Sequence, residues 1–332
     1  MAPIEIECLL VFNDAARDAV ELLKTHVAPF EAKIKDTFSR LHLRVEYMSS
    51  IFEDAYSTIR NLLHCGRYSS VLFNLDQSGY SKVGRSTLID IMQSYDAPEI
   101  FYTFLIGALI PFLQKTDPKL LEAQLAPFGL TSASVRELDA PLMSKPNWLG
   151  AAERMVFGTF RTCAPYVSPF SINNPDGWRY WMIHFAKRPR ARQVYNNVLH
   201  ANSSLQAHFG RSGLEMLAYD PAHDTGNLFL FDESGRQRSR SQLLDDIPRF
   251  ISERGDAISV EDFYASVYNI TPAHSDDVHA AIMESPDLEV ITPSGRERQK
   301  ANTIVVGDTI RLKRQRSFPM FLTSSKYRKP PK

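Results

Sequence analysis

The sequence predicts an α/β chain in which a doubly wound, mostly parallel sheet is followed by a C-terminal winged helix. In the first half of the 332 residues, short apolar strands alternate with amphipathic helices, as in sheets that carry helices on both faces. From about residue 242, three short helical patterns precede two strand patterns around a turn, which is the outline of a winged helix. We therefore expect a sheet domain over 1–240, a winged helix over 241–318 and a basic tail over 319–332.

Strand and helix patterns follow one another from the N-terminus. The first is the apolar run "IECLLVF" (6–12), which we expect to be a strand buried on both faces. The patterns after it are helix "AARDAVELLKTHVAPFEAKI", strand "LHLRVEYM", helix "FEDAYSTIRNLLH", buried strand "SSVLFNL", helix "GRSTLIDIMQSY" and strand "EIFYTFLI". This alternation predicts parallel strands joined by crossover helices.

The middle of the chain is less regular. Residues from about 116 to 174 are rich in proline and have weak helical periodicity, which predicts a helical insertion in the sheet domain. A strand, a basic turn and a helix follow in "WRYWMIHFAKRPRARQVYNNVLHANSSL". The segment "GNLFLFDESGR" is typical of a late strand that ends in a Ser-Gly turn.

The C-terminal helices carry recognisable start and stop residues. The first, "SQLLDDIPRFISERG", is expected to end at Gly255. The second is expected to be capped by Ser259, with Asp262 three residues on, and the third by Thr271, with Pro272 in its first turn. "LEVITP" and "TIVVGDTIRLKR" then form the two strands of a hairpin.

Composition excludes several classes of protein. No apolar run approaches the roughly 20 residues of a membrane span, and the N-terminus has no pattern of a secretory signal. Cys8, Cys65 and Cys163 are scattered and show neither a disulfide framework nor metal-ligand spacing. We therefore expect a reduced, cytoplasmic protein with no membrane partner and no metal site.

A polar stretch, "NLDQSGYS" (74–81), lies where a strand should pass into a helix. In open α/β sheets, ligands bind at the carboxyl ends of the strands. Asp76 could accept a hydrogen bond from an amino group or a hydroxyl and Tyr80 could stack on a base, so these two and Gln77 are the candidate catalytic residues. The alternative is a plain strand-to-helix turn, with Ser78 or Ser81 capping the helix.

The segment "VLFNLDQSGYSKVGRSTLIDIM", followed by "EIFYTFLIGALIPFL", resembles the three-Cys-motif partner protein family, whose strand ends in Asp-Pro-Phe-Gly-Tyr or Asp-Gln-aromatic-Gly-Tyr. "YWMIHFAKRPRARQVYNNVL" is similar to a later strand and basic turn of that family. The resemblance implies a Rossmann-like, methyltransferase-type domain that uses S-adenosylmethionine, with a C-terminal winged helix. It also implies a partner protein with a cysteine motif in a multi-protein bacterial system, and by analogy a role in defence against phage.

The chain departs from that pattern at the cofactor site. It lacks the glycine-rich loop that lets backbone approach the cofactor, and its opening strand resembles the second strand of such folds. The resemblance then implies that Asp14, with Asn13, would bind the ribose hydroxyls. Either the site is vestigial, or another polypeptide completes it; S-adenosylmethionine is expected only in the second case.

Basic residues concentrate at the C-terminal end. Residues 294–332 hold eleven Lys or Arg and two acids, although the whole chain has a formal net charge of zero. The third helix of the winged helix has no Lys or Arg between Thr271 and Pro286. Phosphate contact through the wing is therefore expected rather than base recognition. The candidate residues in and after the wing are Arg296, Arg298, Lys300, Arg311, Lys313 and Arg314.

A second basic cluster precedes a helix and contains Lys187, Arg188, Arg190 and Arg192. Cations at a helix N-terminus oppose the helix dipole, so a phosphate would stabilise them; the alternative is pairing with acids or exposure to water.

Together these features predict a methyltransferase-like, catalytically degenerate protein that associates with DNA or RNA mainly through phosphates. The alternatives are an active S-adenosylmethionine-dependent methyltransferase of nucleic-acid bases and an adaptor that binds only proteins.

Overall fold

The computed structural model of the protein describes residues 4–76, 83–113, 118–131, 145–173, 179–202, 207–209, 213–214 and 228–314. The strands are β1 (Ile6–Asp14), β2 (Leu41–Ser49), β3 (Ser70–Leu75), β4 (Ala97–Phe104), β5 (Tyr166–Asn173), β6 (Arg179–Ala186), β7 (Ala207–Phe209), β8 (Leu228–Leu230), β9 (Ala257–Ser259), β10 (Leu288–Ile291) and β11 (Thr309–Leu312). The helices are α1 (Arg17–Thr37), α2 (Phe52–Cys65), α3 (Arg85–Ser94), α4 (Ile106–Leu113), α5 (Pro118–Leu125), α6 (Lys145–Arg161), α7 (Pro189–Ala201), α8 (Glu233–Ser252), α9 (Val260–Val267) and α10 (Ser275–Glu284).

The chain is a mixed α/β protein, and its strands form three sheets. β1 and β2 pair in parallel as a separate two-stranded sheet. The largest sheet has the order β3-β4-β6-β5-β7-β8, in which only β3 and β4 are parallel. The expectation of a mostly parallel sheet is therefore wrong for its second half. The reason is β5, which lies inside the stretch expected to be helical and pairs antiparallel with β6.

Strands β1 and β3 were expected to be buried on both faces, but each is buried on one face at most. β3 alternates between buried and exposed residues, and Leu72 is 62% exposed. In β1, Leu9 and Val11 pack against the largest core cluster, whereas Leu10 is 39% exposed. The continuous apolar pattern suggested full burial, but each strand keeps an exposed leucine.

The largest core cluster lies between the sheet and helices α2, α3, α4 and α6. Its centre is aromatic: Phe104 contacts Phe160 edge-on, with ring centroids 5.2 Å apart, and Tyr102 and Phe185 surround them. All four of these side chains are fully buried. Within the described part of the chain, no helix is both long enough and apolar enough to span a membrane.

The C-terminal part is a winged helix, as expected from the sequence. Helices α8, α9 and α10 pack on a sheet of order β10-β11-β9, and the wing connects β10 to β11. Ser259 caps α9 as expected, since its hydroxyl accepts the Asp262 amide at 3.0 Å. Gly255 follows α8 with φ +86°, a conformation that favours glycine at a helix end.

Three details of the winged helix differ from expectation. Helix α8 begins at Glu233, upstream of the boundary expected at residue 241, because the Asp232 carboxylate accepts the Gly235 amide at 2.7 Å. The Ser-Gly pair expected in a turn thus lies in the first turn of α8. Strand β9 was not expected as a third strand. Thr271 does not cap α10, which begins after His274, whose ring accepts the Asp276 amide at 3.1 Å.

Residues 268–274, between α9 and α10, and Ser275 at the start of α10 are held by side chains of α7; we call this contact the α7 junction. Asn196 is fully buried and donates to the carbonyls of Thr271 (3.2 Å) and Ala273 (3.1 Å). His200 contacts the Pro272 carbonyl at 3.1 Å. These carbonyls lie outside any helix or sheet, so the α7 side chains supply partners that regular structure does not.

The α7 junction also fixes the start of α10. Asn197 donates to the Ser275 hydroxyl at 2.9 Å and accepts the Ser275 amide at 3.0 Å. Both groups of its side-chain amide therefore bind the first residue of α10. The sheet domain consequently sets the position of the winged helix.

Replacing Asn196 with Ala is expected to lower the free energy of unfolding by about 2–3 kcal/mol, because two carbonyls lose their buried donor. The control is Val198→Ala on the same helix; Val198 is 51% exposed and its truncation is expected to cost about 0.5 kcal/mol or less. Urea denaturation of both variants measures the difference. Equal costs for the two variants would show that the junction does not stabilise the fold.

Candidate ligand cavity and nucleic-acid surface

A cavity of about 360 Å³ lies at the carboxyl ends of β1, β2 and β3. Parallel strands end at the same edge of a sheet, which is where ligands bind in open α/β folds. Three of the residues singled out in the sequence, Asn13, Asp14 and Asp76, line this cavity together. The other two candidate catalytic residues, Gln77 and Tyr80, lie outside the described residues.

The strand ends are joined by side chains of the cavity wall. Asn13 donates to the Ser50 carbonyl at 3.0 Å, which ties the end of β1 to the residue after β2. Asp14 accepts the Ala16 amide through Oδ1 at 2.7 Å, in the turn that leads into α1. Asn13 therefore has a structural role, whereas the exposed Asp14 keeps carboxylate lone pairs available to a ligand.

The chemistry of the cavity follows from its lining. Asp14 and Asp76 supply two carboxylates, and Ile51, Phe52 and Val83 supply apolar surface. Ionised carboxylates only accept hydrogen bonds and repel anions, so the cavity suits a ligand with hydroxyl or amino groups rather than a phosphate.

Glu53 is a residue near the cavity that the sequence did not indicate. From the first turn of α2, its carboxylate accepts the Gly84 amide at 2.7 Å and the Thr87 hydroxyl at 2.6 Å. Glu53 thus binds the N-terminus of α3, the position where Ser78 or Ser81 was expected; both serines lie outside the described residues. This contact links two elements about 30 positions apart in the chain, and no local motif marks it.

The basic cluster before α7 divides into exposed and buried members. Arg188 and Arg190 are exposed, whereas Lys187 is half-buried and donates to the Tyr95 carbonyl at 2.8 Å. Arg192 is fully buried, and its Nε donates to the Tyr268 carbonyl at 2.9 Å. Burial lowers the pKa of its guanidinium to about 10. Arg192 is therefore part of the α7 junction, and its predicted contact with nucleic acid is wrong.

The cations of the wing also divide into two groups. Arg298 forms two hydrogen bonds of 3.0 Å with the carboxylate of Asp308, which is fully buried, so it closes the base of the wing. Arg311 pairs with Glu289 at 2.6 Å across β10 and β11. Lys313 donates to the Pro286 carbonyl at 3.1 Å. These contacts give each of the three cations a partner within the fold, and their predicted contact with nucleic acid stays a prediction.

The second group consists of Arg296 and Lys300 in the wing and Arg314 just after β11, and we call these three the free wing cations. All three are exposed, and none forms an ion pair with another described residue. They are the remaining members of the predicted phosphate-binding set in the winged helix.

Helix α10 offers no comparable surface. Two residues of its first turn, Ser275 and Asp277, are only 4% and 5% exposed, and the exposed residue between them is the acid Asp276. Asp277 pairs with Arg236 at 2.7 Å, and Glu284 pairs with Arg240. The helix that reads bases in helix-turn-helix proteins is thus acidic here and covered at its N-terminal end.

Comparison with known families supports the C-terminal fold. The model of the GMT-like wHTH domain, a winged helix-turn-helix, matches residues 218–295, which include α8, α9, α10 and β10. The match covers less than half of the chain and is a similarity of that domain alone. No curated protein and no solved structure matches the chain.

Replacing Arg298 with Ala is expected to lower the free energy of unfolding by about 2–3 kcal/mol, because it leaves a buried carboxylate unpaired. Arg296→Ala, two positions away in the same wing, is expected to cost about 0.5 kcal/mol or less, because that side chain is exposed. Thermal unfolding distinguishes the two variants. An Arg298→Ala variant with an unchanged free energy of unfolding would contradict the structural role assigned to this residue.

Proposed function

We propose that the protein is methyltransferase-like but catalytically degenerate, and that it associates with DNA or RNA through their phosphates. The observation that carries this proposal is the set of free wing cations together with a helix α10 whose first turn is partly buried and exposes the acid Asp276. By the family resemblance, it acts with a cysteine-motif protein in a multi-protein bacterial system that serves in defence against phage.

The winged helix favours contact with the nucleic-acid backbone. In helix-turn-helix proteins, the N-terminal residues of the recognition helix reach the base edges in the major groove. Here Ser275 and Asp277 are covered by α7 and α8, so this mode of binding would require the α7 junction to open. Exposed Arg and Lys side chains on a wing can contact phosphates without any such change.

The N-terminal part supports a Rossmann-like ancestry. The order β1-α1-β2, with β1 and β2 parallel, and the parallel pair β3 and β4 are features of doubly wound sheets. The cavity at their carboxyl ends contains the acid that the resemblance assigns to the ribose of S-adenosylmethionine, Asp14.

The residues present do not fit the whole cofactor. Asp14 suits the ribose hydroxyls, but the methionine end needs close approach of backbone amides, and no glycine is found among the described residues that line the cavity. No methyl-transfer step follows from such a site. This mismatch is the reason for proposing a degenerate enzyme.

A second candidate is an active methyltransferase of nucleic-acid bases whose cofactor loop comes from another chain. The observation that favours it is that Asp14 and Asp76 line the same cavity. In this case Asp76 would orient the amino group of a base taken out of its stack.

The nucleic-acid proposal is tested by gel shift over a series of salt concentrations. Affinity is expected to depend little on sequence and to fall steeply with salt, because counterions are released from the backbone. Replacing the free wing cations Arg296, Lys300 and Arg314 with Ala should weaken binding equally for unrelated sequences. The slope of affinity against salt should flatten by roughly one unit per lost contact.

The matched control removes three exposed cations outside the winged helix, Lys33, Lys35 and Arg40. It changes the net charge equally and should leave affinity nearly unchanged. An equal loss in both triple variants would indicate a general charge effect rather than a site. No binding to DNA or RNA at low ionic strength would leave the protein adaptor as the better account.

The degenerate cofactor site is tested by calorimetry with S-adenosylmethionine. The isolated chain is expected to show no measurable binding, because the described lining of the cavity has no glycine that would let backbone amides approach the methionine end. Asp14→Ala serves as the control variant. Binding in the micromolar range that Asp14→Ala abolishes would overturn the degenerate site and support the active enzyme.

A further inference from the structure

The α7 junction contains two histidines in contact, which we call the histidine pair. His200 lies in the last turn of α7 and His274 immediately precedes α10. Their rings meet edge to face, with centroids 5.6 Å apart. His200 is 9% exposed, and the side chain of His274 is 16% exposed. The pair therefore lies within the contact between the sheet domain and the winged helix.

The hydrogen bond of His200 keeps its ring neutral. Nε2 lies 3.1 Å from the Pro272 carbonyl, and because a carbonyl oxygen only accepts, Nε2 carries the proton. Nδ1 is then the unprotonated nitrogen, and it is buried with no hydrogen-bond partner among the described residues. A proton added to Nδ1 would charge a buried ring at an atom with no acceptor beside it, which is unfavourable.

His274 is kept neutral by its role as a helix cap. Its Nδ1 accepts the Asp276 amide at 3.1 Å, so this nitrogen is also unprotonated. A protonated Nδ1 would direct an N–H at that amide N–H, and the cap of α10 would be lost. The positive ring would in addition lie at the N-terminus of α10, where it opposes the helix dipole.

The charged groups around the histidine pair do not compensate for two added protons. Among the described residues, those that act on the rings are Arg236 of α8 and Asp276 and Asp277 of α10. Arg236 is paired with Asp277 at 2.7 Å. Asp276 lies 3.8 Å from the Nδ1 of His274, but its side chain is 80% exposed, so water screens its attraction. Two positive rings in contact would repel each other.

The titration of both rings follows from these surroundings. Burial, followed by His274 and Arg236, lowers the pKa of His200 to about 4. Burial and Arg236 also lower the pKa of His274 from its ordinary value of 6.5. Because the packed rings bind protons more weakly than released rings do, the junction is most stable above about pH 6.5. Its stability is lost as the pH falls from there toward the pKa values of the packed rings.

We propose that the histidine pair is a pH-sensitive switch that releases residues 271–276 from α7 when both rings are protonated. The side-chain amides of Asn196 and Asn197 do not titrate, so the pair supplies the pH dependence of the junction. Release would free Ser275 and the start of α10 and let the winged helix change its position relative to the sheet domain. This proposal rests on the α7 junction and does not depend on nucleic-acid binding.

Hydrogen exchange with mass spectrometry at about pH 7.5 and about pH 5 tests the switch, with each exchange rate divided by the intrinsic rate at that pH. The amides of Ser275 and Asp276 bond to Asn197 and His274 in the closed junction. Their protection should fall on the order of tenfold at the lower pH, because protonation favours the released state. Protection of β6, inside the large sheet, should change little.

The variants replace each ring by a side chain that keeps its hydrogen bond and does not titrate. His200→Gln retains a donor for the Pro272 carbonyl, and His274→Asn retains an acceptor at the start of α10. The double variant should keep its protection at both pH values. His42→Gln is the matched control, since this β2 side chain is 57% exposed, and it should respond to pH as the unmodified chain does.

Three results would overturn the proposal. Equal protection of residues 271–276 at both pH values in the unmodified chain would mean that the junction does not respond to acid, and this comparison needs no variant. An equal loss of protection in the double variant would assign the response to other groups. An equal loss in β6 would indicate acid unfolding of the whole chain rather than release of the junction.

Discussion

The fold depends on a set of buried hydrogen bonds from α7 to the backbone between α9 and α10. Residues 268–274 include a proline and lie outside any helix or sheet, so their carbonyls need partners from elsewhere. Asn196 and His200 supply side-chain donors, and Arg192 adds a third. Because these groups are buried, leaving them unpaired is costly, which holds the winged helix in one position against the sheet domain.

This constraint determines which surfaces of the winged helix can contact a nucleic acid or another protein. The junction covers Ser275 at the start of α10, and the exposed residue that follows is the acid Asp276; in related architectures this part of the helix reads bases. It leaves the wing exposed, with Arg296 and Lys300 at its surface. A winged helix mounted in this way can contact a phosphate backbone or a protein, and base recognition would require the junction to break.

Local signals in the sequence predicted most helices, the strands of the first half and the cap at Ser259, because each depends on residues a few positions apart. The sequence did not show which cations bind groups within the fold and which remain available to a ligand. Arg192 and Arg298 look like their neighbours in the chain, yet one binds the Tyr268 carbonyl and the other binds buried Asp308. Their roles depend on partners from distant segments, and neither periodicity nor motif reports such contacts. The separation of β1 and β2 from the larger sheet of described strands escaped prediction for the same reason, since pairing is a property of the assembled sheet.

The central claim is that the α7 junction leaves the wing, and not α10, to contact nucleic acid. Hydroxyl-radical footprinting with mass spectrometry, in the presence and absence of a mixed-sequence DNA duplex, tests this most directly. The account predicts protection of the wing around residues 292–300 and unchanged reactivity of α10, including Met283 and His279. Protection of α10 together with new reactivity in residues 268–275 would mean that the junction opens on binding, and would contradict the account.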